Sequence, residues 1–245
     1  MHVLSDSTPK GGGFSGPHFD GEKEEVDFEV THIPDKRGTT EPHSYRDRHV
    51  HMFIPKKFEA AKPHLDPDFE NFTYGESGKK KRTAMIRDLD PGDYVFFAAS
   101  LAPISRAGHL DRSIAAIRHL QKGRMAKYLV GYFQVRCWHT VQRQGLVEPR
   151  IYPIDSCADP GSRLRRNAHF KTQDSHDFIV VVGLDDRRTA SLKKAVRFTQ
   201  FGSPFRPTTF GIELQGPHGF PRGWKKLTEN QVQAGLARVR HLADP

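Results

Sequence analysis

The sequence predicts an α+β fold, with a β-rich core and helices packed around it. Two apolar runs, Tyr94–Ala98 and Tyr128–Val135, have the aromatic and β-branched make-up of strands. A third, Asp177–Leu184 (DFIVVVGL), is short and continuous, as in a strand buried on both faces. The hydrophobic fraction of 36%, with 17 Phe, supplies a core, while 21 Gly and 17 Pro imply many turns and disfavour a helical bundle.

In chain order, Ser5–Pro17 is a polar, glycine-rich loop after a short apolar start, Met1–Leu4. Val26–Ile33 alternates with period two, and His49–Ile54 is a second short strand candidate that ends at Pro55. Lys79–Leu89 reads as a short basic helix, and the Asp90–Asp93 turn (DPGD) opens the Tyr94 strand. Residues 105–123 carry Leu110, Ile114, Ile117 and Leu120 at helical spacing, an amphipathic helix between two strands. Gly131 inside the second strand points to a bulge or a close backbone approach. Val147–Ile154 is extended, Arg163–Phe170 is a loop, and Ser191–Thr199 is a basic helix capped by Ser191. Thr228–Gln231 forms a capping box, followed by Val232, Leu236, Val239 and Leu242 on one helix face. There is no internal repeat and no low-complexity linker, so residues 1–245 read as a single domain, with a core from about 89 to 200 and an N-terminal ligand-loop region over 1–75.

A net charge of +9 and a pI near 9.6 favour a polyanionic partner. Between Gly161 and Gln200, nine basic residues (Arg163, Arg165, Arg166, Lys171, Arg187, Arg188, Lys193, Lys194, Arg197) meet four acids (Asp174, Asp177, Asp185, Asp186), which leaves +5. Lys79, Lys80, Lys81 and Arg82 make a second patch. Such runs are ordinarily solvated faces. Interleaved with Phe170, Phe198, Phe201 and Phe205, they also suit phosphate contacts beside base stacking. Candidate nucleic-acid contacts are therefore Lys79 to Arg82, Arg163, Arg165, Arg166 and Lys193.

The two cysteines, Cys137 and Cys157, have no zinc spacing, and a buried thiol is the expectation for Cys137. With no signal peptide and no apolar run of membrane-spanning length, the expectation is a soluble, cytoplasmic protein that does not contact membranes.

Two segments could carry chemistry. The Gly11–Gly16 loop could bring backbone N–H groups to an anion, or be a surface loop; it matches neither a dinucleotide fingerprint nor a P-loop. His64-Leu65-Asp66-Pro67-Asp68 gathers an imidazole and two carboxylates for proton transfer or a divalent ion, or is a structural loop in which Asp66 caps the turn. His49 and His51 lack a third ligand, and no metal is assigned. There is no GxSxG, HExxH or zinc-deaminase pattern.

The turn-then-apolar strand at Gly92–Ala98 and the VGYFQV strand at Val130–Val135 resemble the paired core strands of the PUA-like barrels, including the ASCH, EVE and YTH groups. This resemblance implies a small β-barrel with packed peripheral helices that holds a nucleobase at its mouth. More of the chain resembles the nucleotide modification associated domain 3 family. The resemblance rests on Ser5, Gly11–Gly13, Ser15, Pro17, Asp20-Gly21, Ile33-Pro34-Asp35, Ser44-Tyr45-Arg46-Asp47 and the HLDPD motif, and spans roughly residues 1 to 135. Asn167-Ala168-His169-Phe170 is similar to a histidine segment of that family, whereas the basic insert between the two barrel strands departs from it.

The resemblance implies a protein linked to modified nucleotides in DNA or RNA, without fixing a reaction or a cofactor. The leading expectation is a nucleic-acid or nucleotide-binding protein that recognises or processes a modified base. Its pocket would use Ser5, Ser15, Tyr94, Phe96 and Tyr132, with Asp6 and His64 as further polar groups. The alternative is a nucleotide-modifying enzyme (base transferase, glycosylase or nuclease) with Asp6, His64, Asp66 and His169 as acid–base residues. A third is a non-catalytic regulatory protein with a basic surface. The Ser5–Ser15 loop, the HLDPD motif and His169 are expected to converge.

Overall fold

In the computed structural model, the described residues are 2–6, 13–15, 25–26, 28–29, 60–61, 64–77, 84, 86–102, 126–142, 150–153, 162–171, 177–184, 189–197 and 225–242. They form an α+β fold in which an eleven-stranded, mostly antiparallel sheet carries a few helices. The strands are β1 (His2–Asp6), β2 (Gly13–Ser15), β3 (Glu25–Val26), β4 (Phe28–Glu29), β5 (Thr73–Ser77), β6 (Tyr94–Ala102), β7 (Ala126–Gln142), β8 (Arg150–Pro153), β9 (Phe178–Gly183), β10 (Thr189–Arg197) and β11 (Lys225–Leu227). The helices are α1 (Ser162–Arg166), α2 (Ala168–Lys171) and α3 (Glu229–Val239), the last running into a 3-10 turn at Arg240–Leu242.

β7, 17 residues long, organises the sheet. Its first half lies between β6 and β10, with β1, β2, β11 and β3 further out; its second half pairs with β8 and β9, and β9 carries β5. Every residue from Tyr128 to Phe133 is buried, as in a strand covered on both faces, whereas from Gln134 onward buried and half-buried residues alternate. A register shift between Val135 and Cys137 against β9 marks where the strand passes from one ladder to the next, the place where a bulge adds bend and twist.

The two apolar runs are neighbouring antiparallel strands, with Val95 opposite Phe133. The turn before β6 is closed by the Asp93 N–H to the Asp90 carbonyl (3.1 Å) and the Asp90 N–H to Asp93 Oδ2 (2.8 Å), with Gly92 at φ 94°. The bulge expected at Gly131 is there: Phe97 faces Gly131 and Ala98 faces Leu129, which leaves Val130 as the extra residue. The 105–123 insert lies outside the described residues.

Alternation along β6 splits the core. Val95, Phe97 and Ala99 face one side with Tyr74, Phe133, Val135, Ile179 and Val181, and Phe69 packs on them. Tyr94, Phe96 and Ala98 face the other with Leu129, Tyr132, Leu192 and Val196. That second face is covered by α3 through Val232, Leu236 and Val239, and by Leu242 after it. The capping box forms as the sequence predicts, with Thr228 and Gln231 exchanging side-chain to backbone hydrogen bonds. A third cluster, Val141, Leu164, Phe178 and Val180 with Phe170 against it, seats α1 and α2 on β9.

Three expectations are corrected. The sheet does not close into the PUA-like barrel: among the described residues one ladder ends at β11 and β3 and the other at β5 and β8, with no pairing between those ends. A bulged strand shared by two ladders meets the alternation of both apolar runs without closure. Ser191–Thr199 is not a helix but lies largely in β10, against β7. Its buried Leu192, Ala195 and Val196 imitate helical spacing because the register shifts between Ser191 and Val196. Cys137 is buried as expected but disulfide-bonded, not a free thiol. No helix among the described residues is long and apolar enough to cross a membrane.

Candidate functional site

The site begins at the HLDPD motif, which leads through a tight turn into β5. Asp68 closes that turn. Its N–H donates to the Thr73 carbonyl and its carbonyl accepts from the Thr73 N–H, at 2.8 and 3.0 Å. Its Oδ1 accepts from the N–H groups of Glu70 and Asn71, both at 3.0 Å, and its Oδ2 from Asn71 Nδ2 at 2.7 Å. Asp68, not Asp66, is therefore the capping carboxylate. Phe69 anchors the turn edge-on against Phe97 and Phe133.

Asp66, freed from that task, points elsewhere. Its Oδ1 accepts from the Gly75 N–H at 2.8 Å and lies 3.4 Å from Asn167 Nδ2. Its Oδ2 lies 3.3 Å from His169 Nε2. His64 completes the group, with its Nε2 3.4 Å from His169 Nε2 and the two rings edge to face at 87°.

His169 arrives from α2, about a hundred residues downstream. The loop expected at Arg163–Phe170 is two short helices, α1 and α2, held by Leu164 and Phe170 in the core over β9. Asn167, fully buried between them, donates from Nδ2 to Thr73 Oγ1 at 3.1 Å, while its Oδ1 accepts the His169 N–H at 2.9 Å. One buried amide thus locks α2 to β5 and aims the imidazole. His169 and Asp66 keep 18% and 7% of their side-chain surface, buried enough to hold geometry yet reachable from solvent.

Two α1 arginines stand at the same turn, and the third lies over α2. Arg166 Nη1 donates to Asn71 Oδ1 at 3.1 Å, the Arg163 guanidinium lies 5.6 Å from the Phe72 ring centre, and that of Arg165 lies 5.8 Å from Phe170. Arg165 and Arg166 are exposed and Arg163 is half-buried. Chemically, the arrangement offers a carboxylate-oriented imidazole and a second imidazole, with cations on the adjoining turn and on α1 that suit a phosphate.

Of the residues singled out in the sequence, His64, Asp66 and His169 come together. Ser5 and Asp6 lie on β1 opposite Phe97 and Ala98, and Ser15 on β2 opposite Phe28; their side chains, like Lys79, Lys80, Lys81 and Arg82, are outside the described residues. Lys193 is exposed on β10, in the other ladder. Tyr94, Phe96 and Tyr132, expected to line a base pocket, are instead core, at 7%, 0% and 1% exposure beneath α3. They occupy the sheet face opposite the one that Phe69 packs on. Sequence reasoning missed Thr73 and Gly75, and gave Asn167 no role beyond its place in the histidine segment; each acts through a contact between segments distant in the chain.

Fold and site together define an α+β protein with an open, mainly antiparallel sheet and a histidine–carboxylate centre beside β5. The chain belongs to the nucleotide modification associated domain 3 family, whose model matches residues 5–206, a span that includes the whole centre. Membership connects it with nucleotide modification. No curated protein and no solved structure matches the chain.

Proposed function

We propose that the chain recognises or processes a base, modified or to be modified, in DNA, in RNA or as a nucleotide, at the His64–Asp66–His169 centre. The observation that carries this reading is the meeting of the HLDPD loop and the Asn167–Phe170 segment beside the α1 arginines. Cations positioned next to polar groups suit a ligand that is phosphate at one end and base at the other. The whole chain acts as one domain in this reading, which is supported by the way β1 pairs with β11, from the other end of the sequence, as well as with β6. Ser5 and Asp6, on β1, and Ser15, on β2, would join the centre.

A second reading, a base transferase, glycosylase or nuclease, is favoured by the contact between Asp66 and His169. A carboxylate at one ring nitrogen of a reachable imidazole is how general acid–base groups are oriented. Mass spectrometry of nucleosides and nucleotides that co-purify with the chain, and of oligonucleotides incubated with it, tests both. A retained or altered base that disappears in Asp66→Asn and His169→Ala variants of unchanged melting temperature is the expected result. Binding that ignores both substitutions would leave only the regulatory reading, a basic surface without a site.

A further inference from the structure

We infer that His64, Asp66 and His169 bind a divalent transition-metal ion through two imidazole nitrogens and one carboxylate oxygen. Their ligand atoms all lie within 4.8 Å of one another. His169 Nε2 stands almost equally far from two neighbours, 3.3 Å from Asp66 Oδ2 and 3.4 Å from His64 Nε2. A ring nitrogen carries at most one proton, and one proton cannot be aimed at both. Both separations are also long for hydrogen bonds, which centre near about 2.9–3.0 Å for N–H···O. They match another geometry. Ligand atoms at about 2.0–2.1 Å from a tetrahedral ion stand about 3.3–3.4 Å apart, as the two pairs through His169 do, and all three atoms lie within 4.8 Å, so that His64 and Asp66 would draw closer on the ion. A cation between the three groups faces a lone pair from each, where a proton serves only one pair.

The surroundings fit the same reading. Asp66 has its other oxygen taken by the Gly75 N–H and approached by Asn167 Nδ2, which leaves Oδ2 turned to the histidines. Asn167 also holds the His169 backbone. Outer groups that fix the direction of each ligand are typical of metal centres. Two histidines and one carboxylate suit zinc or ferrous iron. Three protein ligands among the described residues leave coordination positions open to water or to an oxygen or nitrogen of the ligand, as catalytic centres require. This inference shares its residues with the proposed function but does not depend on a nucleotide.

The test uses the tag-free, chelator-stripped full chain. Zinc is titrated in competition with a chromophoric chelator, cobalt is followed by visible absorption, and ferrous iron is added without oxygen. One ion per chain is expected for zinc or iron. Asp66→Asn, His64→Ala and His169→Ala should each weaken binding at least tenfold, and exposed His241→Ala should not. His169→Gln, with circular dichroism, separates loss of a ligand from loss of fold. Binding below one ion per chain, or equal affinity in well-folded triad variants, overturns the inference. Base binding measured in chelator separates the two readings. If it persists and depends on His64 while no metal binds, this inference fails and the base reading stands. If one ion binds and neither base nor nucleotide does, the reverse holds.

Discussion

Gly75 and His169 compete for the same space. A Cβ on Gly75 would overlap His169 Cδ2 and stand 2.8 Å from Asn167 Oδ1. The missing side chain lets α2 lie close on β5, and the Gly75 N–H also holds Asp66. Gly75→Ala should therefore push the imidazole off the carboxylate. Ligand or metal affinity should drop at least tenfold, with a stability loss of about 1–3 kcal/mol, the range for overpacking a close-packed interior. Isothermal titration and thermal melts on the same sample check this, and full affinity in the variant would show that His169 is not held as described.

Asp66 and Asp68, two residues apart, should separate function from fold. Asp66→Asn keeps an oxygen for the Gly75 N–H and so should leave the melting temperature close to that of the parent while binding is lost. Asp68→Ala removes the acceptor for the Glu70 and Asn71 N–H groups in a buried position. It should cost roughly 0.5–2 kcal/mol of stability, the range for losing a side-chain cap on backbone N–H groups. Denaturant titration reads the second effect. Reversed phenotypes would exchange the assigned roles.

The sequence revealed the parts of this fold whose physics is local. The β6–β7 pair followed from two apolar runs and a DPGD turn, and α3 from its capping box, because alternation and capping act over a few residues. HLDPD stood out because it places an imidazole and two carboxylates within five residues, a grouping that a structural turn would also explain. Which carboxylate caps the turn depends on backbone directions that composition does not encode. Asn167 and Gly75 matter only through contacts between β5 and the α1–α2 segment, so no nearby residue signals them. β10 misled because a register shift gave its buried residues helical spacing. Tyr94, Phe96 and Tyr132 were correctly read as strand aromatics, but alternation names two faces without saying which one a helix covers.

That covering makes a distinct prediction for Phe96, which is fully buried among Tyr94, Tyr132 and the α3 residues. Phe96→Ala should destabilise by about 3–5 kcal/mol, as truncated core aromatics do. Ligand binding should be lost only in step with unfolding. A well-folded Phe96→Ala protein with its binding abolished would return this ring to a recognition role.

The α1 arginines supply the last prediction. Arg165 and Arg166 are exposed, while Arg163 is half-buried against Phe72, so the first two can be changed with the least effect on packing. If both contact phosphates, the Arg165→Ala/Arg166→Ala variant should bind nucleic acid more weakly at low salt. Each lost phosphate contact removes about 0.9 from the slope of log affinity against log salt for duplex, or about 0.7 for a single strand. The double variant should therefore flatten the slope by about 1.8 or about 1.4, so that the gap to the parent narrows as salt rises. Because phosphate contacts carry no sequence information, the loss should be the same for a preferred and a random oligonucleotide. Fluorescence anisotropy across a salt series measures both quantities. An unchanged slope would place the phosphate contacts away from α1, and a loss confined to one sequence would make these arginines base readers.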